Sequence, residues 1–204
     1  MAIDPDGRVL GGITNFLTFV MLNVLYLILC LPIVTIGAAT SALFEVTMRY
    51  SDDEQGRPVR DFFAALLPNA VRATTVAAAT LVPAVALAFS GVFWFAGESA
   101  IGLGAAILSF LGAGYLFAAF LFGMALVARF QSPLGTTLRN ALLLPAAEPL
   151  RTLFVVLLPA TAVALCVIFP ALTFLLATIG LAFGAYVAAF IFRSAIARYE
   201  PPAA

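Results

Sequence analysis

Three apolar blocks, over residues 9–44, 73–128 and 152–192, constrain this chain more than any other feature. The first and third carry no charge, and the second is interrupted only by Glu98. As helix, at about 1.5 Å per residue, they would measure roughly 54, 84 and 62 Å, against a bilayer hydrocarbon core of about 30 Å. Each is therefore long enough to cross twice. Strands do not fit, because the runs are continuous and rich in Ala and Leu, whereas a barrel strand alternates apolar with polar. Composition agrees: 64% of residues are hydrophobic, 10% are charged and the mean hydropathy is +1.12, outside the range of soluble domains. The expectation is an all-α, polytopic transmembrane helix bundle forming a single domain over residues 1–204.

The blocks have natural turning points at Leu31-Pro32, Gly97-Glu98-Ser99 and Phe169-Pro170, since proline can open a helix at its first position. This predicts six spans in three hairpins, at about 13–31, 33–50, 73–96, 100–129, 152–169 and 171–197. The arginines test the arrangement. All 10 basic residues are Arg, at Arg8, then Arg49, Arg57, Arg60 and Arg72, then Arg129, Arg139 and Arg151, then Arg193 and Arg198. With three hairpins they all face one side, which the positive-inside rule makes cytoplasmic, and both termini are inside. The alternative is five spans, with one long tilted helix over 13–36 and an external N-terminus, which misplaces only Arg8. A signal peptide cleaved near Thr40-Ser41-Ala42 fits less well. Asp4 and Asp6 offset Arg8, and the apolar run is far longer than an h-region.

Two connecting segments, VRDFFAALLPNAVR (residues 59–72) and LRNALLLPAAEPLR (residues 138–151), align with each other. They predict short amphipathic interface helices at 58–68 and 134–145 on the cytoplasmic side. In the first, Val59, Phe62, Phe63, Leu66 and Leu67 fall on one helical face with Arg60 and Asp61 opposite. Arg60, Asp61, Phe62 and Phe63 are thus the candidate docking face. Pro58 suits a first helical turn, while Pro68 and Pro145 are expected to end or kink their helices.

Little catalytic chemistry is available. The chain has no His and no Lys, which removes the commonest general base, the commonest metal ligand and any phosphate loop that needs a lysine. Cys30 and Cys166 are solitary and read as small apolar fillers. The acidic run at 52–54 reads as a solvated turn. No catalytic residue, cofactor or metal is expected, and a net charge of zero argues against nucleic acid as a partner. Glu45 and Arg193 stand out because each lies about one turn inside the end of its span, where a charge is expensive. They form a candidate intramembrane pair, with Arg49, four residues beyond Glu45, as the competing local partner.

Over residues 20–75 the chain resembles the YesL family of bacterial integral membrane proteins, a domain of unknown function (family 624). The resemblance rests on Asn23, Pro32, Thr35, Gly37, Thr40, Ala42 and Leu43, followed by Asp61, Phe62 and Asn69. Members are often encoded beside carbohydrate-uptake transporters, glycoside hydrolases and sensor kinases. The resemblance implies a non-enzymatic accessory protein of the bacterial plasma membrane, associated with carbohydrate uptake or sensing. Its partners would be the lipid bilayer and a carbohydrate transporter or sensor kinase. The family supplies no catalytic residues, so the motif positions Asn23, Pro32, Thr35, Gly37 and Asn69 are expected to be structural or docking features. A small-solute transporter or channel, lined by polar side chains of the first two helices, is the alternative.

Overall fold

The computed structural model describes residues 5–51, 57–97, 99–196 and 198, with the backbone alone for residues 5–13 and 196. Every regular element among them is helical. Helix α1 is Pro5–Cys30, α2 Ile36–Ser51, α3 Pro58–Phe95, α4 Ala100–Arg129, α5 Leu134–Ala147 and α6 Pro149–Ile168. Helix α7 begins with Leu172–Leu175, widens into a π-helical turn at Leu176–Gly180 and continues as Leu181–Ile196.

The chain breaks at the expected turning points. After α1, Leu31-Pro32 leads into a 3-10 turn at Ile33–Thr35, closed by the Thr35 amide donating to the Pro32 carbonyl at 2.9 Å. The long helix over 13–36 required by a five-span chain is therefore interrupted. Ring contact of Phe19 with Tyr50 and the hydroxyl contact of Tyr26 with Thr40 show α2 folding back along α1. Helices α3 and α4 meet at Ala96-Gly97, and Ser99 caps α4 by accepting from the Gly102 amide at 3.0 Å. Glu98, expected in an outer loop, lies outside the described residues. Helix α6 stops one residue before Phe169-Pro170.

Two expectations for the connecting segments need correction. Residues 58–68 are not a separate interface helix; they are the first turns of α3, which passes through Pro68 and Pro83 without ending. Each proline leaves the carbonyl four residues earlier without its helical donor. Those carbonyls belong to Ala64 and Ala79, both on the exposed face, so neither proline leaves an unpaired group in the core. The second segment does form a helix of its own, α5, which runs two residues past Pro145. What ends it is Pro149, which opens α6 and holds Glu148 outside the helical region at φ −125°, ψ 62°. In the first segment the gap-free alignment puts Ala70 at that position, and the helix continues.

Among the described residues four helices are long and apolar enough to cross a membrane: α3, α4, α6 and the stretch Leu172–Ala195 of α7. The expected spans at 13–31 and 33–50 are not among them. Helix α1 has 26 residues, about 39 Å of helix, but its side chains are described only from Thr14, which leaves Thr14–Cys30 as its described apolar part; α2 has 16 residues, about 24 Å. Helix α2 is instead the centre of the bundle. From Gly37 to Met48 every residue except Glu45 is buried. It packs against α3 and α7, and α3 packs along α4. Phe44, Phe122 and Phe192 bring α2, α4 and α7 together, with ring centroids 5.1 and 5.2 Å apart. The seam of α3 is narrow and made largely of small residues: Ala65, Asn69, Ala73, Val76, Ala77, Thr80, Ala84 and Gly91. Small side chains let helix backbones approach closely, the usual packing device where lipid and core are equally apolar.

Candidate functional site

One set of polar residues gathers at the arginine-bearing ends of the helices. Glu45 and Asn69 join α2 to α3, with Asn69 Nδ2 donating to Glu45 Oε2 at 3.4 Å and to the Ala65 carbonyl at 3.4 Å. Glu45 Oε1 also pairs with Arg49 at 2.7 Å along the same helix. Arg193 reaches from α7 to the end of α2, where it donates to the Ser51 carbonyl at 2.7 Å and to Ser51 Oγ at 3.1 Å. Among the described contacts, Glu45 and Arg193, the candidate pair, each meet other groups. The i,i+4 geometry places Arg49 directly against Glu45, and the carbonyl at the C-terminal end of α2 attracts Arg193 as helix ends attract cations.

Arg72, which the sequence marked only as the end of a connecting segment, closes α4. Its guanidinium donates to the Val127 carbonyl at 2.9 Å, to the Phe130 carbonyl and to Gln131 Oε1 at 3.2 Å. The last turn of a helix exposes unpaired carbonyls and a negative dipole end, and a five-donor guanidinium satisfies both. Glu148 was also missed. It is only 8% exposed, and it holds Arg151 at 2.5 Å and Arg198 at 3.4 Å, tying the start of α6 to the end of the chain. Its position before a proline at a helix start was the available signal.

The family-motif positions serve the first hairpin and its neighbours. Asn23 is wholly buried in α1 and faces the π turn of α7. Its Nδ2 donates to the Leu176 carbonyl at 3.2 Å and to the Ala177 carbonyl at 2.6 Å, while Oδ1 accepts from the Ala182 amide at 2.8 Å. Pro32 sets the break, and Thr35 Oγ1 bonds back to the Leu29 carbonyl and to the Pro32 carbonyl at 2.7 Å. At Gly37, a Cβ would lie 2.6 Å from the Ala73 carbonyl oxygen and 2.6 Å from Ala77 Cβ, so only glycine permits this approach of α2 to α3. Asn69 is buried between α2 and α3, with Oδ1 lacking a partner.

The candidate docking face divides. Phe62 is fully buried in the core, Asp61 is half-buried, and Arg60 and Phe63 remain outside. The buried face of α3 runs through Phe62, Ala65 and Asn69, so Phe63 and Leu67 point the other way, Leu67 at 78% exposure. Hydrophobicity alone did not rank the two phenylalanines, because α3 is apolar on both faces. Among the described residues no cluster of three or more His, Cys, Asp or Glu could hold a metal. Cys30 and Cys166 are both free thiols.

The fold and this arrangement define an all-helical membrane protein whose described polar side chains mostly cap, staple or space helices. Residues 19–91, the first hairpin and most of α3, match the family model described as "Protein of unknown function, DUF624". No curated protein and no solved structure matches the chain.

Proposed function

We propose that the chain is a non-enzymatic accessory protein of the bacterial plasma membrane that docks on a partner, in the carbohydrate-uptake or sensing context the family resemblance implies. The observation that carries this reading is the fate of the polar side chains. Asn23, Thr35, Asn69, Arg72, Glu148 and Arg193 all bond within the bundle. A surface of Arg60, Phe63 and Leu67 at the start of α3 stays outside it. The transporter alternative has less support, because the cavity between the helices is lined almost wholly by apolar side chains. Apolar cavities stay dry and give a sugar no hydrogen-bonding path. For the test, the full chain is isolated from native membranes in mild detergent. The expected result is a stoichiometric companion of the carbohydrate-transporter or sensor-kinase class. It is lost in Arg60→Ala/Phe63→Ser while membrane insertion persists. Uptake of sugar by liposomes containing this chain alone would overturn the proposal.

The same reading includes six crossings with both termini inside, α1 and α2 forming a hairpin in which the short α2 is enclosed by the other helices. Cysteine-accessibility scanning is expected to label position 98 from outside and positions 57, 60 and 139 from inside. Labelling of an N-terminal position from outside would favour an odd number of crossings.

A further inference from the structure

We propose that the cavity between α6, α7 and the first hairpin is a binding site for a lipid with a single hydroxyl, such as a long-chain or isoprenoid alcohol. Its volume is about 330 Å³, at the lower end of small-ligand pockets. Tyr26 and Thr40 line it from α1 and α2, Phe117 and Leu121 from α4, and Val155 and Pro159 from α6. The only side-chain polar groups among those six belong to Tyr26 and Thr40, and their hydrogens are committed. Thr40 Oγ1 lies 2.7 Å from the Ile36 carbonyl, which can only accept, so Thr40 donates there. In the 3.1 Å contact between the two hydroxyls, Tyr26 must then be the donor. The Tyr26 hydroxyl also bonds with the Cys30 thiol one turn along α1, so it has no hydrogen left to give and keeps one lone pair for the cavity.

Pro159 adds a second acceptor of the same kind. It has no N–H, so the Val155 carbonyl loses its helical donor. At Pro68 and Pro83 of α3 the freed carbonyls lie on exposed residues, but Val155 is only 2% exposed and lines the cavity. The lining therefore offers apolar surface and acceptors, without a free donor. An alkane would leave the acceptors unsatisfied, and an ether or ester brings only more acceptors. A hydroxyl on an apolar chain supplies the missing hydrogen. Helix α6 is the outer wall and Val155 its buried residue, while Leu157, Val163 and Val167 face outward, so a molecule dissolved in the bilayer has access past it.

The full chain is reconstituted in phosphatidylcholine vesicles containing a diazirine-bearing dodecanol or the methyl ether of the same probe. Cross-linked peptides are mapped by mass spectrometry with and without excess 1-dodecanol. The expected result is competable labelling of peptides from α6 and α7, about fivefold stronger for the alcohol, the size of one net hydrogen bond. Tyr26→Phe should reduce the preference for the alcohol, leaving only the part that the Val155 carbonyl supports. Ala162→Phe, which fills the cavity from its α6 wall, should abolish the competable fraction, and Leu158→Trp serves if that variant does not fold. Equal labelling by alcohol and ether in the parent would overturn the proposal. So would undiminished competable labelling in a folded, filled variant.

Discussion

Replacing Asn23 with Leu is expected to cost about 3 kcal/mol or more, since three buried backbone groups lose a partner at about 1–3 kcal/mol for each one left fully unsatisfied. The cause lies in α7. A π turn spends an extra residue per hydrogen bond, so carbonyls and amides at its ends fall out of register with the α-helical segments that flank it. Asn23 meets three of these groups: the carbonyls of Leu176 and Ala177 and the amide of Ala182. Leu is nearly the same size and keeps the packing, so the loss isolates hydrogen bonding. Asn23→Asp keeps the acceptor for Ala182 but removes the donors and adds a charge in a buried place, and it should be at least as damaging. The measurement is thermal unfolding in detergent, where a loss of 1 kcal/mol corresponds to roughly 2–4 °C for a chain of this size. Hydrogen exchange at the Ala182 amide should quicken in parallel. An unchanged midpoint with unchanged protection at Ala182 would show that the turn does not depend on Asn23.

That coupling was invisible in the sequence, although Asn23 itself stood out. An Asn in an apolar helix signals a bond to a neighbouring helix, but the partner depended on a π turn that nothing in LATIG marks. What was legible came from length and breakers. Leu31-Pro32, Gly97-Glu98-Ser99 and Phe169-Pro170 mark real helix breaks because proline and polar-turn chemistry act within a few residues, and the Ser99 cap emerged only in the structure. The connecting segments were harder for the opposite reason. Pro68 and Pro145 look equivalent, yet α3 runs through Pro68 and α5 ends after Pro145 because of Pro149. Whether a proline stops a helix is decided here by the residues that follow: α5 and α6 continue through Pro145 and Pro159 even though these free the carbonyls of buried Ala141 and Val155. Glu45 and Arg193 show the same limit for charges. Depth in the chain identified both, while their partners were decided by Arg49 in the next turn and by a free carbonyl at Ser51.

The closest test of the bundle's centre is Gly37→Ala, a single added methyl group. Its Cβ would stand 2.6 Å from the Ala73 carbonyl oxygen and 2.6 Å from Ala77 Cβ, where non-bonded carbons settle at about 3.5–4.0 Å. Relief requires α2 and α3 to separate by a large part of an ångström. Over-packing of this kind costs about 1–3 kcal/mol. The strain should not stay local. Thr74 of α3 donates to the Val34 carbonyl at 3.2 Å, so the 3-10 turn that joins α1 to α2 is anchored across the same approach. Gly104 offers the control, since a Cβ there meets nothing within 4 Å and Gly104→Ala should be neutral or mildly stabilising through helix propensity. A second substitution separates the two contacts at Gly37. Ala77→Gly removes the side-chain contact, but the Ala73 carbonyl is backbone and stays. The double variant Gly37→Ala/Ala77→Gly should therefore recover less than half of the loss, once the cost of Ala77→Gly alone is subtracted in the cycle. Full recovery would place the constraint in the Ala77 methyl group instead of the helix backbones. A parental midpoint for Gly37→Ala would mean that α2 and α3 do not need this spacing.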